Sequence, residues 1–211
     1  SYADVSISGS DSTVGGLVGL SYSETNEDAN KILSSAFKGN ITSSRTAGGI
    51  VGYADGLIIE NSYSDAVLNA DSVGGIIGQL TSSYGSHNVT INNTYSTSSI
   101  TATSDSGSFI GEINSTNNLT INNSFTDTNI SPVGSDVNGT NSPGGITVLD
   151  VNKWQDPLTF TSAGWSTAIW DFSGDTPTLK NVGLVKENVS TKALEKPCLL
   201  YTSDAADDMQ C

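Results

Sequence analysis

Gly48-Gly49-Ile50-Val51-Gly52 has a near twin upstream, Gly15-Gly16-Leu17-Val18-Gly19, and another downstream, Gly74-Gly75-Ile76-Ile77-Gly78. A degenerate copy stands at Gly107-Ser108-Phe109-Ile110-Gly111, and a decayed fifth at Gly144-Gly145-Ile146-Thr147-Val148. Self-similarity at a period of about 30 residues marks a stacked repeat architecture. Glycine reaches backbone angles that a side chain forbids, so a Gly pair recurring at one place in each unit predicts a sharp corner there. A phosphate-cradling loop would need a following helix and usually a Lys, and neither follows these blocks.

One aromatic stands 11 to 13 residues ahead of each of the first four blocks: Tyr2, Phe37, Tyr63 and Tyr95. Phe125 opens a fifth unit whose glycines come late, which reads as an insertion before Gly144. The surrounding text is nearly constant: Ile59-Glu60-Asn61-Ser62-Tyr63, Ile91-Asn92-Asn93-Thr94-Tyr95 and Ile121-Asn122-Asn123-Ser124-Phe125. Apolar and polar residues alternate here, the period of strands with one buried face. A stretch such as Ala66-Val67-Leu68 supplies a second strand and the glycine block a third. No helical periodicity is long enough to predict a helix. Residues 25–37 come nearest, with Ala29, Ile32, Leu33 and Ala36, and are expected to be a loop running into the second unit.

Three short strands per unit predict an all-β chain: a right-handed parallel β-helix, or β-solenoid, of about five coils, each strand pairing with its counterpart one repeat away. Five coils at about 4.8 Å would make a rod on the order of 24 Å long. Propeller blades need four strands and about 40 to 50 residues, and a sandwich would not require repeated text. Asn61, Asn93 and Asn123 share one repeat position, where amides turned into the coil would hydrogen-bond up and down a column. The aromatics Tyr63, Tyr95 and Phe125 are expected to form core ladders, as are Leu57, Val89 and Leu119 and also Ile59, Ile91 and Ile121. An outward-facing row at Tyr63 and Tyr95 would instead offer surfaces for sugar stacking.

At 211 residues and 36% hydrophobic content the chain supports one elongated domain and a small appendage. Its 22 acids against 8 bases leave a net charge of −14, which repels phosphate and argues against nucleic acid or an anionic membrane as partner. No apolar run approaches a membrane span. Nine Asn-x-Ser/Thr sequons, at Asn40, Asn88, Asn92, Asn114, Asn118, Asn122, Asn129, Asn138 and Asn188, largely reflect the Asn- and Thr-rich composition. The chain opens at Ser1 in mid-repeat, so a preceding segment is expected. From about Pro197 the text changes character and resembles translated sequencing adaptor; its Cys198 and Cys211 are set aside from fold and redox arguments. The expected map is therefore repeats over 1–149, a Trp-rich segment over 150–182, a linker over 183–196 and a non-native tail over 197–211.

A catalytic reading finds little in these residues. Arg45 is the only arginine and His87 the only histidine, expected to be solvated in the loop Ser82–Asn88. Asp65 and Asp127 share a register two residues after the aromatic, but Thr97 stands between them, and no Gly-x-Ser-x-Gly elbow singles out a serine. The expectation is no enzyme, no cofactor and no metal. The acidic stretch Glu24-Thr25-Asn26-Glu27-Asp28 has the oxygen chemistry for calcium but not the spacing of a known loop, so solvated surface charge is expected.

The glycine blocks with their upstream Ser/Asn-x-aromatic text resemble the GLUG motif, a repeat of large secreted and surface-attached bacterial proteins. These include adhesin-like proteins and the non-catalytic regions of immunoglobulin A-cleaving peptidases. The resemblance spans residues 1–149 and weakens at Ser108 and in the fifth unit. Trp154, Phe160, Gly164-Trp165, Trp170-Asp171-Phe172 and Thr176-Pro177-Thr178-Leu179-Lys180 resemble the segment that closes many such arrays, where bulky aromatics would cap the open end of the core. The resemblance implies an extracellular, monomeric rod acting as an adhesin-like binding module or extended scaffold. Its partners would be host or neighbour-cell glycans or surface proteins. The alternative it implies is a non-catalytic accessory region of a secreted protease or glycan-degrading enzyme.

Overall fold

A computed structural model of the chain describes residues 1–23, 25, 29–81, 87–114, 119–127, 130–136 and 144–182. The linker 183–196, the tail 197–211 with both cysteines, and all of the acidic stretch but Thr25 lie outside the described residues.

The protein is mostly β, built from parallel sheets in which successive repeats lie side by side. The first sheet runs Tyr2–Gly9, Ala36–Ser43, Tyr63–Ala70, Tyr95–Ser96, Ser124–Thr126 and Ile146–Val148, with Ser99–Ala102 also paired to Tyr63–Ala70. The second holds Thr13–Gly15, Thr46–Gly48, Ser72–Gly74 and Ser106–Gly107. The third holds Val18–Tyr22, Val51–Asp55, Ile77–Thr81, Ile110–Asn114 and Val133–Asp136, and the fourth Asn30–Leu33, Leu57–Glu60, Val89–Asn92 and Leu119–Asn122. Each full repeat therefore contributes four strands rather than three. The glycine block supplies two of them: one ends on its first glycine and the next starts at its fourth residue. Asn30–Leu33, expected as loop, is a strand because Leu57–Glu60 offers it a partner, with Ile32 opposite Ile59.

Register corrects two alignments made from text. Ala36, not Phe37, pairs with Tyr63, and Phe37 pairs with Ser64; alternation then turns Phe37 to the inner face, against Gly16. Ile110 pairs with Val133 and Glu112 with Ser135, which sets Gly134, not Gly144, beside Gly111. Ile146–Val148 instead pairs with Ser124–Thr126 in the first sheet. The fifth glycine block is thus the eroded Ser131-Pro132-Val133-Gly134, and no insertion precedes it.

The glycine blocks do form corners, but not through left-handed backbone, since Gly15, Gly48, Gly74 and Gly107 all have ordinary φ. Close approach selects them instead: a Cβ on Gly48 would overlap the Val51 carbonyl and the Gly78 amide, and the other three stand in equivalent crowding. Left-handed backbone falls to a different column: Ser34 (φ 46°), Asn61 (φ 50°), Asn93 (φ 49°) and Asn123 (φ 48°). Gly145 (φ 83°) continues this column beside Asn123, because Ile146 is opposite Ser124. Asn tolerates this conformation better than most residues. Asn61, Asn93 and Asn123 are therefore corner residues rather than an interior amide column, and the Asn93 Nδ2 to Asn61 Oδ1 contact is a long 3.5 Å. The amide ladder sits one residue earlier, where Asn92 Nδ2 donates to Glu60 Oε1 at 3.1 Å and Asn122 Nδ2 to Asn92 Oδ1 at 2.9 Å.

The inner face is apolar. Leu57, Val89 and Leu119 stand in one row and Ile59, Ile91 and Ile121 in another, joined in one cluster with Ile50, Ile76 and Phe109. Phe37, Ile41, Leu68 and Val73 anchor a second cluster. Each fully buried Leu, Ile or Phe contributes about 1.5–3 kcal/mol.

Tyr63, Tyr95 and Phe125 also form a row, but it belongs to the outer face of the first sheet, because their neighbours Ser64 and Ser96 point inward against Gly49 and Gly75. The row is nonetheless buried, since the Trp-rich segment lies on it instead of closing the end of the array. An exposed aromatic row needs cover, and the segment's tryptophans provide it. Trp170 stands 6.2 Å from Tyr63, Trp154 5.3 Å from Tyr95 and Phe160 5.1 Å from Phe125, centroid to centroid. Polar ends are matched too: Tyr95 Oη donates to the Pro177 carbonyl at 2.7 Å, and Trp165 Nε1 to the Asn123 carbonyl at 2.8 Å. The segment folds as short helices Val151–Trp154 and Pro157–Thr161 and an antiparallel pair, Trp170–Asp171 with Thr178–Leu179. Asp156 caps the second helix by accepting from the Leu158 amide, with Pro157 in the first turn.

Candidate functional site

Two residues beyond the aromatic row, the first sheet presents a polar row to the outside. Lys38 is opposite Asp65, and Thr97 Oγ1 donates to Asp65 Oδ1 at 3.2 Å. Asp127 follows Phe125 at the same offset. The C-terminal segment crosses beside this row and leaves an open cleft of about 710 Å³ between the two. Asp65, Thr97 and Asp127 form the sheet wall; Asp150, Trp154, Gln155, Asp175 and Thr176 form the other.

The cleft is acidic and partly neutralised from within. Lys38 Nζ stands 2.9 Å from Asp65 Oδ2, and this hydrogen bond raises the lysine above its ordinary value against the opposing effect of burial. Gln155 Nε2 donates to Asp175 Oδ1 at 3.0 Å. Burial pushes the Asp127 carboxyl up, and the Asp65 charge adds to it. Below the cleft, complete burial drives the Tyr95 phenol well above its usual range. Trp154 is 6% exposed, and its indole N–H finds no acceptor among the described residues. Among the described residues, no three His, Cys, Asp or Glu side chains converge as metal ligands. The calcium question for residues 24–28 concerns side chains outside the described residues, Thr25 excepted.

Register had already linked Asp65, Thr97 and Asp127 in the sequence. Asp150, Gln155, Asp175 and Thr176 carried no such signal, because nothing local says that a segment after the repeats returns to lie beside Tyr63, Tyr95 and Phe125. His87 is not solvated. Its side chain is 8% exposed and its Nδ1 stands 2.9 Å from Asp55 Oδ1, itself 1% exposed. The pair sits at the turn between the third and fourth sheets, where Gly56 leaves room for the imidazole.

No protein-family model, curated protein or solved structure matches this chain. Fold and site together define a repeat-built protein of parallel β-sheets with an acidic cleft formed where its C-terminal segment docks. Among the described residues no helix is long and apolar enough to cross a membrane.

Proposed function

We propose that the chain is a binding module of a secreted or cell-surface repeat protein, adhesin-like in role, whose GLUG-type units wind as a right-handed parallel β-helix of about five coils. Four parallel sheets with one-repeat steps support the winding, and parallel crossovers are right-handed in nearly all folds. The observation that carries the functional reading is the cleft beside the Tyr63–Tyr95–Phe125 row. It combines carboxylates, hydroxyls and the Gln155 amide with apolar surface from Leu149, Val151 and the edge of Trp154, the mixture that holds a short polar glycan. Two of its four carboxylates, Asp65 and Asp175, are engaged by Lys38, Thr97 and Gln155, which fixes them as acceptors in a polar binding surface.

The test is a printed array of host and microbial glycans, followed by titration calorimetry with any hit. Binding by the wild-type chain that is lost in Thr97→Val and Asp175→Asn, at unchanged circular dichroism, is expected. No binding by the wild type, or binding untouched by both substitutions, would assign the chain to a passive spacer or the contact to another surface.

A further inference from the structure

The two ends of the array differ, and the difference identifies what one of them is built to meet. The third glycine of each block forms a column: Gly19, Gly52, Gly78, Gly111 and Gly134. A Cβ on Gly52 would press on the Gly19 carbonyl, one on Gly78 on the Gly52 carbonyl, and one on Gly111 on the Gly78 carbonyl. Each glycine is therefore required by the repeat before it. Gly19 is exposed, and a Cβ there would meet nothing within 4 Å. A glycine in a strand with open space around it only weakens the strand.

Other features of the same end agree. Among the described residues, Tyr2–Gly9, Thr13–Gly15, Val18–Tyr22 and Asn30–Leu33 are each paired on one side only. Ile7, Val18 and Ile32 are half-buried there, whereas their partners Ile41, Val51 and Ile59 are fully buried. A groove of about 450 Å³ lined by Leu17, Val18, Ile32 and Leu33 opens over the core. An unprotected edge eight residues long is a ready template for another strand.

The far end is less suited to the same growth, because it lacks one rung of the ladder. Ile50 donates its amide to Ile76 O, Ile76 to Phe109 O and Phe109 to Pro132 O. Pro132 has no amide to pass on, so the ladder stops there. The outermost strands at this end, Ser106–Gly107, Leu119–Asn122, Val133–Asp136 and Ile146–Val148, are two to four residues long, and none matches the eight of Tyr2–Gly9.

We infer that the face formed by these four edge strands is a stacking interface for one more repeat of the same glycine-block type, joined in tandem, with its third-glycine carbonyl over Gly19. A second molecule stacked head to tail is disfavoured, because it would have to present the Pro132 end. This inference rests on the β-helical winding proposed above.

A copy of residues 36–61 fused directly ahead of Ser1 tests it, since Ser1 then stands where Ser62 stands before Tyr63. The graft is expected to raise the melting temperature and slow amide exchange in Tyr2–Gly9 and Val18–Tyr22 by about tenfold or more. Gly19→Ala should leave the ungrafted chain unchanged or slightly more stable, and should abolish the gain in the grafted one. A graft that protects neither strand, or a Gly19→Ala cost equal in both backgrounds, overturns the inference. So does concentration-dependent dimerisation of the ungrafted chain that protects the same strands. Exchange in Tyr63–Ala70 serves as the internal reference: if that strand is unprotected, the winding itself is wrong; if it is protected and the graft fails, only the stacking inference falls.

Discussion

Asn93-Thr94-Tyr95 divides three tasks among three adjacent residues. Asn93 takes the left-handed corner. Thr94 is buried and donates its hydroxyl to the Asn92 carbonyl at 2.9 Å, as Ser62 does to Glu60 and Ser124 to Asn122. Tyr95 turns outward onto the tryptophans. Asn93→Ala must hold φ 49° with an unhelpful side chain, at a cost of about 1–2 kcal/mol, whereas Asn93→Gly should be nearly neutral. Gly48→Ala meets backbone on two sides and should cost more, about 3 kcal/mol. Urea unfolding of the three variants checks the order; Asn93→Ala more damaging than Gly48→Ala would contradict the assignment of corner and close approach. Ser108 already stands at the second glycine position of its block, where its amide meets Ser131 O. Its buried hydroxyl has no partner among the described residues, so the substitution is tolerated with a polar group left unsatisfied.

At the level of strands and turns, the His87–Asp55 pair and the Asp127 carboxyl group carry opposite expectations. His87 and Asp55 are both buried, and removing the imidazole takes away a 2.9 Å hydrogen-bonding neighbour of the carboxyl group and the packing around it. His87→Ala should cost about 3 kcal/mol, and adding Asp55→Asn should recover part of that loss in a double-mutant cycle by chemical denaturation. Asp127 works the other way. Its carboxyl is raised above the ordinary 3.8 by burial, so the folded state favours the protonated form. The stabilisation this brings is complete below pH 3.8 and lost as pH rises through the folded value. Asp127→Asn should therefore stabilise the protein at pH 7 and change little at pH 3. Lys38 and Tyr95 are also raised, from 10.5 and 10.0, by the Asp65 hydrogen bond and by burial respectively. Both contributions are full below those values and fade above them, so stability should decline from about pH 10 upward.

For the molecule as a whole, the aromatic row is the joint between repeats and C-terminal segment. Trp170 is fully buried against Tyr63, Tyr95 and Trp165. Trp170→Ala should cost about 3–5 kcal/mol, quench the near-ultraviolet dichroism of the stack and leave the far-ultraviolet β signal in place. Simultaneous loss of both signals at the same denaturant concentration in wild type would show that segment and repeats unfold as one unit. The cleft depends on the same joint, so ligand binding should weaken in Trp170→Ala even though that residue does not line it.

Repetition, period-two alternation and composition were enough to establish a mostly-β chain of parallel strands stepping one repeat at a time, because these are local properties that any neighbour of the same text must satisfy. The inner ladders of Leu57 and Ile59 were legible for the same reason. The outward turn of Tyr63 and Tyr95, the fourth strand at Asn30–Leu33, the burial of His87 and the second wall of the cleft were not. Each depends on which surface a distant segment comes to cover, or on a half-step of register that reverses every side chain. An apolar row reads the same in the text whether it is buried by the core beneath it or by a tryptophan laid across it, and stacking the strands is what separates the two.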